Sequence, residues 1–425
     1  MRTVVESDRT IPVRVAELLR DGEFERVAEL FGAPLRAAVS PDALRGAWLT
    51  EIGRIGPVRA IGLPAVEPFG DKLIRANVPV TGERGGFALI MSIDAAGLLH
   101  GLRLADPAAA WAPPDYADPS LFAEREITVG SGELAVPGTL SVPHGPGPWP
   151  AVVLLHGGGP FDRDETCGPN KPLKDLAWGL AGRGIAVLRF DKVTYAHPRV
   201  AERPDFTMAD EYVPHAVSAV DLLRRHPGVD PALVFVLGHS MGGKVAPRVA
   251  AAEPSVAGLV LLAADAEPMH HAAVRVLRYL ASVTPGPEVD AMLAAATRGA
   301  AVVDGPELSR ETPSAELPFG MSGAYWLDLR DYDQVATAAA LPQPMLIVQG
   351  GRDYQVTVDD DLARWQAGLA LRTDVTTRVY PADNHLFFPG TGPSTPADYE
   401  APQHVDPTVV SDIAEWLARQ AALTP

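Results

Sequence analysis

Short apolar runs alternate with segments of helical periodicity along most of the chain. The apolar runs are continuous, as in strands that are buried on both faces, and fall at residues 149–155, 185–190, 233–237, 257–263, 344–348 and 377–380. Apolar residues at helical spacing predict helices over residues 176–182, 210–225 and 409–423. This alternation predicts an α/β fold with a mostly parallel sheet flanked by helices, and residues 125–143 add an antiparallel hairpin before it.

The first hundred residues have a different texture. Residues 12–31 predict two short helices, and Ser40 followed by Pro41 starts another helix that runs to about Ile55. Short alternating runs over residues 58–104 predict a small antiparallel sheet. We therefore expect a small α+β domain at residues 1–105.

Two breaks divide the remaining chain. Residues 106–122 are rich in proline without periodicity, which is typical of a linker, so the larger domain is expected at residues 123–425. Between about residues 264 and 341 the alternation stops and helical patterns intervene. This insertion leaves the sheet at the edge where ligands bind, so a helical lid is expected. Its candidates for an apolar substrate wall are Met269, Leu280, Phe319, Met321, Tyr325 and Trp326.

One turn carries a recognisable chemical pattern. The run at residues 233–237 breaks at Gly238-His239-Ser240-Met241-Gly242, and helical spacing follows. A G-x-S-x-G turn between strand and helix is a nucleophile elbow, which exposes the serine hydroxyl above the carboxyl edge of a parallel sheet. The glycines avoid collision where strand and helix converge. Ser240 is thus the predicted nucleophile, although a glycine-rich turn can also contain a serine by chance.

A serine nucleophile needs a base and a group that orients the base. Asp353 follows the strand at residues 344–348, and His385 follows the strand at residues 377–380, so both lie at the edge where Ser240 is expected. The order serine, aspartate, histidine matches the α/β-hydrolase arrangement. Asp383 and Asp374 compete with Asp353 for the orienting role, and His239 is expected to be a packing residue.

The oxyanion of an acyl-transfer intermediate needs two hydrogen-bond donors. One is expected from the backbone of Met241, and the other from the loop His156-Gly157-Gly158-Gly159. Gly158 is the preferred donor and Gly159 the alternative.

A charged run follows this loop at residues 162–165. It contacts either the substrate or the first domain, or else forms a solvated local ion-pair cluster. The candidate substrate contacts are Arg163, Gly159, Tyr325 and Trp326.

Composition narrows the partners. The formal net charge of −17 disfavours nucleic acid and anionic membranes, both of which attract basic surfaces. The single cysteine, Cys167, cannot form an internal disulfide, and no Cys/His spacing typical of a zinc site occurs. The amino terminus lacks a signal-peptide pattern, and no apolar run is long enough to span a bilayer. A cytoplasmic protein is the default expectation.

Four motifs together resemble a known family. They are HGGGPFDRDETCGPNKPLKDLAWGLAGRGIAVLRFDK, GHSMGG, GGRDYQV and ADNHLF. They are similar, in this order, to the α/β-hydrolase superfamily, in its dienelactone-hydrolase-like and prolyl-oligopeptidase-like esterase branch, over roughly residues 123–423. Members often carry a small domain of unassigned role ahead of the hydrolase. The chain departs in having glycine at position 158, where relatives often have serine, and in its long insertion.

The resemblance implies hydrolysis of carboxylic esters without a cofactor or metal, with Ser240, Asp353 and His385 as the triad. We therefore expect a serine esterase acting on a small, hydrophobic ester or lactone. Fold alone does not establish a substrate, and acyl transfer, peptide cleavage or elimination of an acyl group stay open. A non-catalytic binding protein of the same fold is the alternative of another class. The first domain is a candidate for a lid or for homodimer formation.

Overall fold

The computed structural model describes residues 3–69, 73–105 and 111–423. The chain divides into two units, Met1–Ala110 and Trp111–Pro425. Of the predicted linker, residues 106–110 lie outside the described residues, and the rest belongs to the larger unit. The indole of Trp111 donates to Asp175 over 2.7 Å and packs edge-on against Trp178, which attaches the start of this unit to its body.

The smaller unit combines helices with an antiparallel sheet, as predicted. Its helices are α1 (Thr3–Arg20), α2 (Phe24–Glu29), α3 (Ala33–Ala38) and α4 (Pro41–Ile55). Its strands are β1 (Val58–Ile61), β2 (Ala65–Phe69), β3 (Leu73–Gly82), β4 (Gly85–Asp94) and β5 (Leu99–Ala105).

The start of α4 is confirmed in detail, because the Ser40 hydroxyl accepts from the Ala43 N–H over 3.1 Å. Helix α1, in contrast, begins before the predicted start and contains Pro12. The prediction missed its first turns because the residues ahead of the proline show no apolar periodicity. Helix α3 was not predicted, since six residues are too few to show a helical pattern. In the core of this unit, Trp48 packs edge-on against Phe87.

The larger unit is built on an eight-stranded sheet. Its strands, in spatial order, are β13 (Val375–Tyr380), β12 (Met345–Gly350), β11 (Leu259–Leu262), β10 (Val229–His239), β8 (Trp149–Leu155), β9 (Ala186–Phe190), β7 (Val136–Pro143) and β6 (Phe122–Val129). The strands from β13 to β9 are parallel, and the β6–β7 hairpin joins β9 antiparallel. The predicted hairpin and mostly parallel sheet are confirmed.

Helices cover both faces of this sheet. They are α5 (Pro172–Ala181), α6 (Val193–Ala196), α7 (Met208–Arg224), α8 (Met241–Ala252), α13 (Ala363–Gly368) and α14 (Pro407–Leu423). Consecutive residues of β8 and β10 belong to different apolar clusters, for example Val234 to one and Phe235 to the other. These strands are therefore buried on both faces, which explains their continuous apolar runs.

The insertion between β11 and β12 is helical, as predicted. It contains α9 (Met269–Val283), α10 (Pro287–Asp304), α11 (Gly323–Asp331) and α12 (Gln334–Ala340). Trp326 lies in a separate small core of the insertion with Val303, Leu308 and Leu317. Within the described part of the chain, no helix is both long and apolar enough to cross a bilayer.

Candidate active site

The turn between β10 and α8 holds its serine in a strained conformation. Ser240 has φ 52° and ψ −120°, outside the regions that side chains favour. Its N–H donates to the carbonyl oxygen of Leu262 in the neighbouring strand over 2.8 Å. The surrounding sheet thus stabilises a backbone conformation that an isolated peptide would leave.

The two glycines of this turn have the predicted steric role. A β carbon on Gly242 would lie 2.5 Å from the carbonyl oxygens of Leu155 and His156. One on Gly238 would overlap the carbonyl group of Gly242. Because these neighbours are backbone atoms of the sheet and helix, they cannot rotate away. Only glycine permits this approach of β8, β10 and α8.

Asp353 and His385 meet at the same edge of the sheet. The Nδ1–H of His385 donates to Oδ2 of Asp353 over 2.7 Å. The other carboxylate oxygen, Oδ1, accepts the backbone N–H groups of Gln355 and Val356 over 2.8 and 3.0 Å. The carboxylate is therefore immobilised. Because it contacts Nδ1 of His385, Nε2 is the ring nitrogen that does not contact the aspartate.

The competing aspartates do not make this contact. Asp374 pairs with Arg372 over 2.6 Å at the other end of β13. Asp383 is buried, and within the described residues neither of its carboxyl oxygens has a hydrogen-bond partner. Burial, together with the nearby Asp406, raises the pKa of Asp383 to about 7. The carboxylate that contacts His385 is that of Asp353.

The glycine loop after β8 is held from two sides. The Gly157 N–H donates to Oε1 of Glu165 over 2.6 Å. The Lys192 ammonium donates to the carbonyl oxygens of Gly157 and Gly159, each over 2.9 Å. Since the Gly157 N–H is engaged and residue 160 is proline, the N–H groups of Gly158 and Gly159 are the candidates for contact with a ligand.

Glu165 also forms a buried pair with His239. Its Oε1 lies 3.0 Å from Nδ1 of His239, whose Nε2–H donates to the carbonyl oxygen of His385 over 3.0 Å. Burial alone would lower the pKa of His239, but the charge of Glu165 and their hydrogen bond outweigh it, so the pKa is raised. The same pair holds the pKa of Glu165 below its ordinary value despite burial. The raised pKa favours the protonated form of His239, whose contacts join three loops, and this residue does more than the packing predicted for it.

Lys192 is buried with its own counterion. Its ammonium lies 3.3 Å from Oε1 of Glu211 and donates to the hydroxyl of Tyr212 over 2.6 Å. That hydroxyl donates in turn to the carbonyl oxygen of Gly157 over 2.8 Å. Burial lowers the pKa of Lys192, and Glu211 opposes that shift. The residues of this cluster come from α7 and from the segment after β9.

A cavity of about 840 Å³ opens in front of these loops. Ser240, His385, Gly158, Gly159 and Met241 all line it, so the structure brings these predicted residues together. Apolar side chains form most of the remaining wall, including Phe161, Phe206, Met269, Ala273, Val276, Leu277, Met292, Phe319, Met321 and Tyr325. The titratable residues among the lining include the carboxylates of Glu165, Glu211 and Asp265 and the imidazoles of His239 and His385, and none of the described lining residues is lysine or arginine.

Two predicted substrate contacts lie elsewhere. Trp326 is buried inside the insertion, where its indole N–H donates to the carbonyl oxygen of Pro318 over 3.2 Å. Arg163 pairs with Asp191 over 2.9 Å and with Glu126 over 2.6 Å. The charged run therefore behaves largely as a local ion-pair cluster. Leu280 also lies outside the lining.

One cluster has the composition of a metal site. In the described residues, His270, His271 and Asp304 form the group of three ligand-type side chains with atoms within 4.8 Å of one another. Both imidazoles hydrogen-bond the Asp304 carboxylate over 2.9 Å, and none of the three residues lines the cavity. Their contacts join α9 to the end of α10.

Sequence reasoning missed Glu165, Lys192 and Glu211 as parts of the site. Glu165 lies in the charged run at residues 162–165. Its backbone has a positive φ of 54°, which turns the side chain inward and which the sequence does not reveal. Lys192 follows β9 at the same sheet edge as the predicted residues. The position of Lys192 at this edge was the signal that the sequence offered for a place in the site. Lysines are rarely buried unless they are paired, so a buried lysine there indicates a specific contact.

The chain is similar to several known proteins. The family model described as serine aminopeptidase, S33, matches residues 148–389. Esterase EstD of Thermotoga maritima is 34% identical over 409 residues, which cover 94% of this chain and 93% of that protein. The 2,6-dihydropseudooxynicotine hydrolase of Paenarthrobacter nicotinovorans is 32% identical over 139 residues, covering 32% of this chain and 34% of its own. The structure of Est1E from Butyrivibrio proteoclasticus matches with 17% identity and a TM-score of 0.46, covering 70% of this chain and 99% of that one.

The steric role of the elbow glycines predicts that Gly242→Ala prevents the larger unit from folding. Gly158→Ala is the matched control, because its β carbon would meet Met241 Sδ at an ordinary 3.5 Å. We expect soluble expression and a cooperative melting transition for Gly158→Ala, with neither for Gly242→Ala. A normally folded Gly242→Ala protein would contradict the steric argument.

The Glu165–His239 pair predicts a pH-dependent stability. Because the pKa of His239 is raised in the fold, its protonation contributes to the free energy of unfolding. This contribution is complete below about pH 6.5, the ordinary imidazole pKa, and is lost as the pH rises through the folded-state pKa. Breaking a buried pair costs about 3–5 kcal/mol. His239→Gln should therefore lower the melting temperature of the larger unit most at pH 6, and this difference from wild type should narrow toward pH 9. A difference that stays constant or widens would show that His239 is neutral in the fold.

Proposed function

This chain belongs to the serine hydrolase family described as serine aminopeptidase, S33, within the α/β-hydrolase superfamily, and we propose that it hydrolyses a carboxylic ester or lactone through an acyl-enzyme on Ser240. The observation that carries the proposal is the contact between His385 and Asp353 beside a strained serine in one apolar cavity. The similarity to Esterase EstD over 94% of the chain supports ester hydrolysis as the reaction.

In the proposed mechanism Ser240 Oγ attacks the ester carbonyl carbon while Nε2 of His385 takes the hydroxyl proton. The resulting imidazolium is stabilised by the Asp353 carboxylate, which holds Nδ1 protonated. When the tetrahedral intermediate collapses, the carbon–oxygen bond to the alcohol breaks, and His385 returns the proton to the leaving oxygen. Water then attacks the acyl-enzyme by the same steps and releases the acid.

The oxyanion of each intermediate is assigned to two backbone donors. Met241 is the first residue of α8, where an N–H has no partner within the helix and the helix dipole favours negative charge. Gly158 supplies the second donor from the loop after β8. Both residues line the cavity beside Ser240, which supports this assignment.

The proposed substrate is neutral and apolar. A cavity of about 840 Å³ is within the usual range for small-molecule sites, and its wall is mostly aliphatic and aromatic. Its three lining carboxylates, Glu165, Glu211 and Asp265, are each paired with a basic side chain, those of His239, Lys192 and Lys244. The described lining residues therefore favour an uncharged substrate over an ionic one. We infer that the insertion acts as a lid, since α9 and the segment from Phe319 to Tyr325 contribute a large share of this wall.

The mechanism predicts the loss of ester turnover in three variants. Ser240→Ala and His385→Ala should lower kcat for p-nitrophenyl esters by about 10⁴-fold or more, and Asp353→Asn by about 10⁴-fold. A fluorophosphonate should label wild type at Ser240 and leave Ser240→Ala unlabelled. Turnover that survives in Ser240→Ala would reject the proposed nucleophile. A labelled wild type without turnover of these esters would favour a selective acyl transfer or elimination instead.

The cavity wall predicts a shift in chain-length preference. Ala273→Phe on α9 places a ring in the cavity, whereas Ala281→Phe on the same helix lies outside the lining and serves as the matched control. For esters from acetate to decanoate, Ala273→Phe should lower kcat/KM for decanoate by about tenfold or more and change acetate little. The control should keep the wild-type profile. Equal effects of both variants on all chain lengths would remove α9 from the substrate site.

A further inference from the structure

The two bonds from Lys192 to the glycine loop have a geometric consequence. A trans peptide is planar, so its C=O and the N–H of the following residue point in opposite directions. The ammonium of Lys192 and the hydroxyl of Tyr212 both donate to the carbonyl oxygen of Gly157. They draw that oxygen toward α7, and the N–H of Gly158 in the same peptide unit therefore points the opposite way.

The location of the two groups indicates where this N–H is directed. Gly158 lines the cavity with Ser240 and Met241, whereas Lys192 is 2% exposed and lies outside the lining. The second bond from Lys192, to the carbonyl oxygen of Gly159, holds the next peptide unit, whose nitrogen belongs to Pro160 and has no proton to offer. Lys192 thus fixes the direction of the Gly158 N–H, both directly and through the Tyr212 hydroxyl that it holds, and it does not fix that of the Gly159 N–H.

We propose that Lys192 is a positioning residue that orients and polarises the Gly158 N–H as an oxyanion donor. A cationic donor on the peptide oxygen draws electron density from the same amide, which makes its N–H a stronger donor. This effect acts where negative charge develops, so it stabilises the transition state more than the neutral ester. The proposal rests on the proposed function, because it requires acyl transfer at Ser240.

The cost of burying this lysine supports a role beyond structure. Its ammonium is compensated by Glu211, which also accepts hydrogen bonds from Thr194 and Tyr325 over 2.8 and 2.5 Å. Two apolar residues of similar volume would fill the space without desolvating either charge. A neutral amide side chain has two N–H donors at most, whereas an ammonium with three protons holds Gly157, Gly159 and Tyr212 together.

The test compares Lys192→Met with the double variant Lys192→Met/Glu211→Gln. The single variant leaves the Glu211 carboxylate buried without its cation and risks misfolding. The double variant removes both charges together and keeps the side-chain volumes close to native. A lysine that served only to neutralise Glu211 would be dispensable in the double variant, whereas a positioning lysine would not.

We expect the folded double variant to lose about 10²-fold in kcat with KM changed less than about threefold, as when an oxyanion donor is removed. Its affinity for an alkyl boronic acid, which forms a tetrahedral adduct with an active serine, should fall by the same factor as kcat/KM. Its affinity for the product alcohol, a neutral ligand that places no negative oxygen at the proposed donors, should change little. A merely structural lesion would weaken both ligands alike.

Three results would each have a definite meaning. Wild-type kcat and boronate affinity in the double variant would overturn the role of Lys192. Equal loss of boronate and product affinity would overturn it too, by showing general damage to the cavity. A wild type that neither turns over esters nor reacts with the fluorophosphonate at Ser240 would instead reject the proposed function itself, before the variants are compared.

Discussion

The arrangement of the site depends on one buried ion pair, between Glu165 and His239. Through it the glycine loop after β8, the turn that contains Ser240 and the loop that contains His385 are joined by three hydrogen bonds of 2.6 to 3.0 Å. These segments follow three different strands, so pairing within the sheet alone would not set the loops to the accuracy that acyl transfer needs. The pair does so because an imidazole ring flanked by a carboxylate and a carbonyl oxygen satisfies both of its nitrogens in a single orientation.

The strain at Ser240 is tolerated for a related reason. A residue at φ 52° and ψ −120° costs of order 1–3 kcal/mol, which a flexible turn would relax by changing conformation. Here the turn is fixed on one side by the hydrogen bond to Leu262 and on the other by the close approach of Gly238 and Gly242. Relaxation would separate α8 from the sheet and expose apolar surface. The core of the larger unit thus carries the strain that exposes the serine hydroxyl.

The pattern of hydrophobic and polar residues predicted the elements that are long, apolar and regularly spaced. For the strand Trp149–Leu155 it predicted both ends correctly. It also placed Ser240, Asp353 and His385 at one edge, because parallel strands present their carboxyl ends together. It did not find Glu165 or Lys192, whose roles arise from contacts across 74 and 35 residues of sequence. It misassigned Trp326, since an aromatic residue on a helix of the insertion is equally compatible with lining a cavity and with packing the insertion's own core.

The buried charges also decide how negative charge can develop beside the glycine loop. Glu165 accepts from Gly157, one residue from the proposed oxyanion donor, and an uncompensated carboxylate there would oppose the oxyanion strongly in a water-poor site. His239, whose pKa the Glu165 carboxylate raises, offsets that charge without occupying either proposed donor. Lys192 and Glu211 form a second neutral pair, oriented with the cation against the loop and the anion behind it. Each pair is neutral overall, but the second pair places its positive end against the glycine loop, which favours the charged intermediate over the neutral ester.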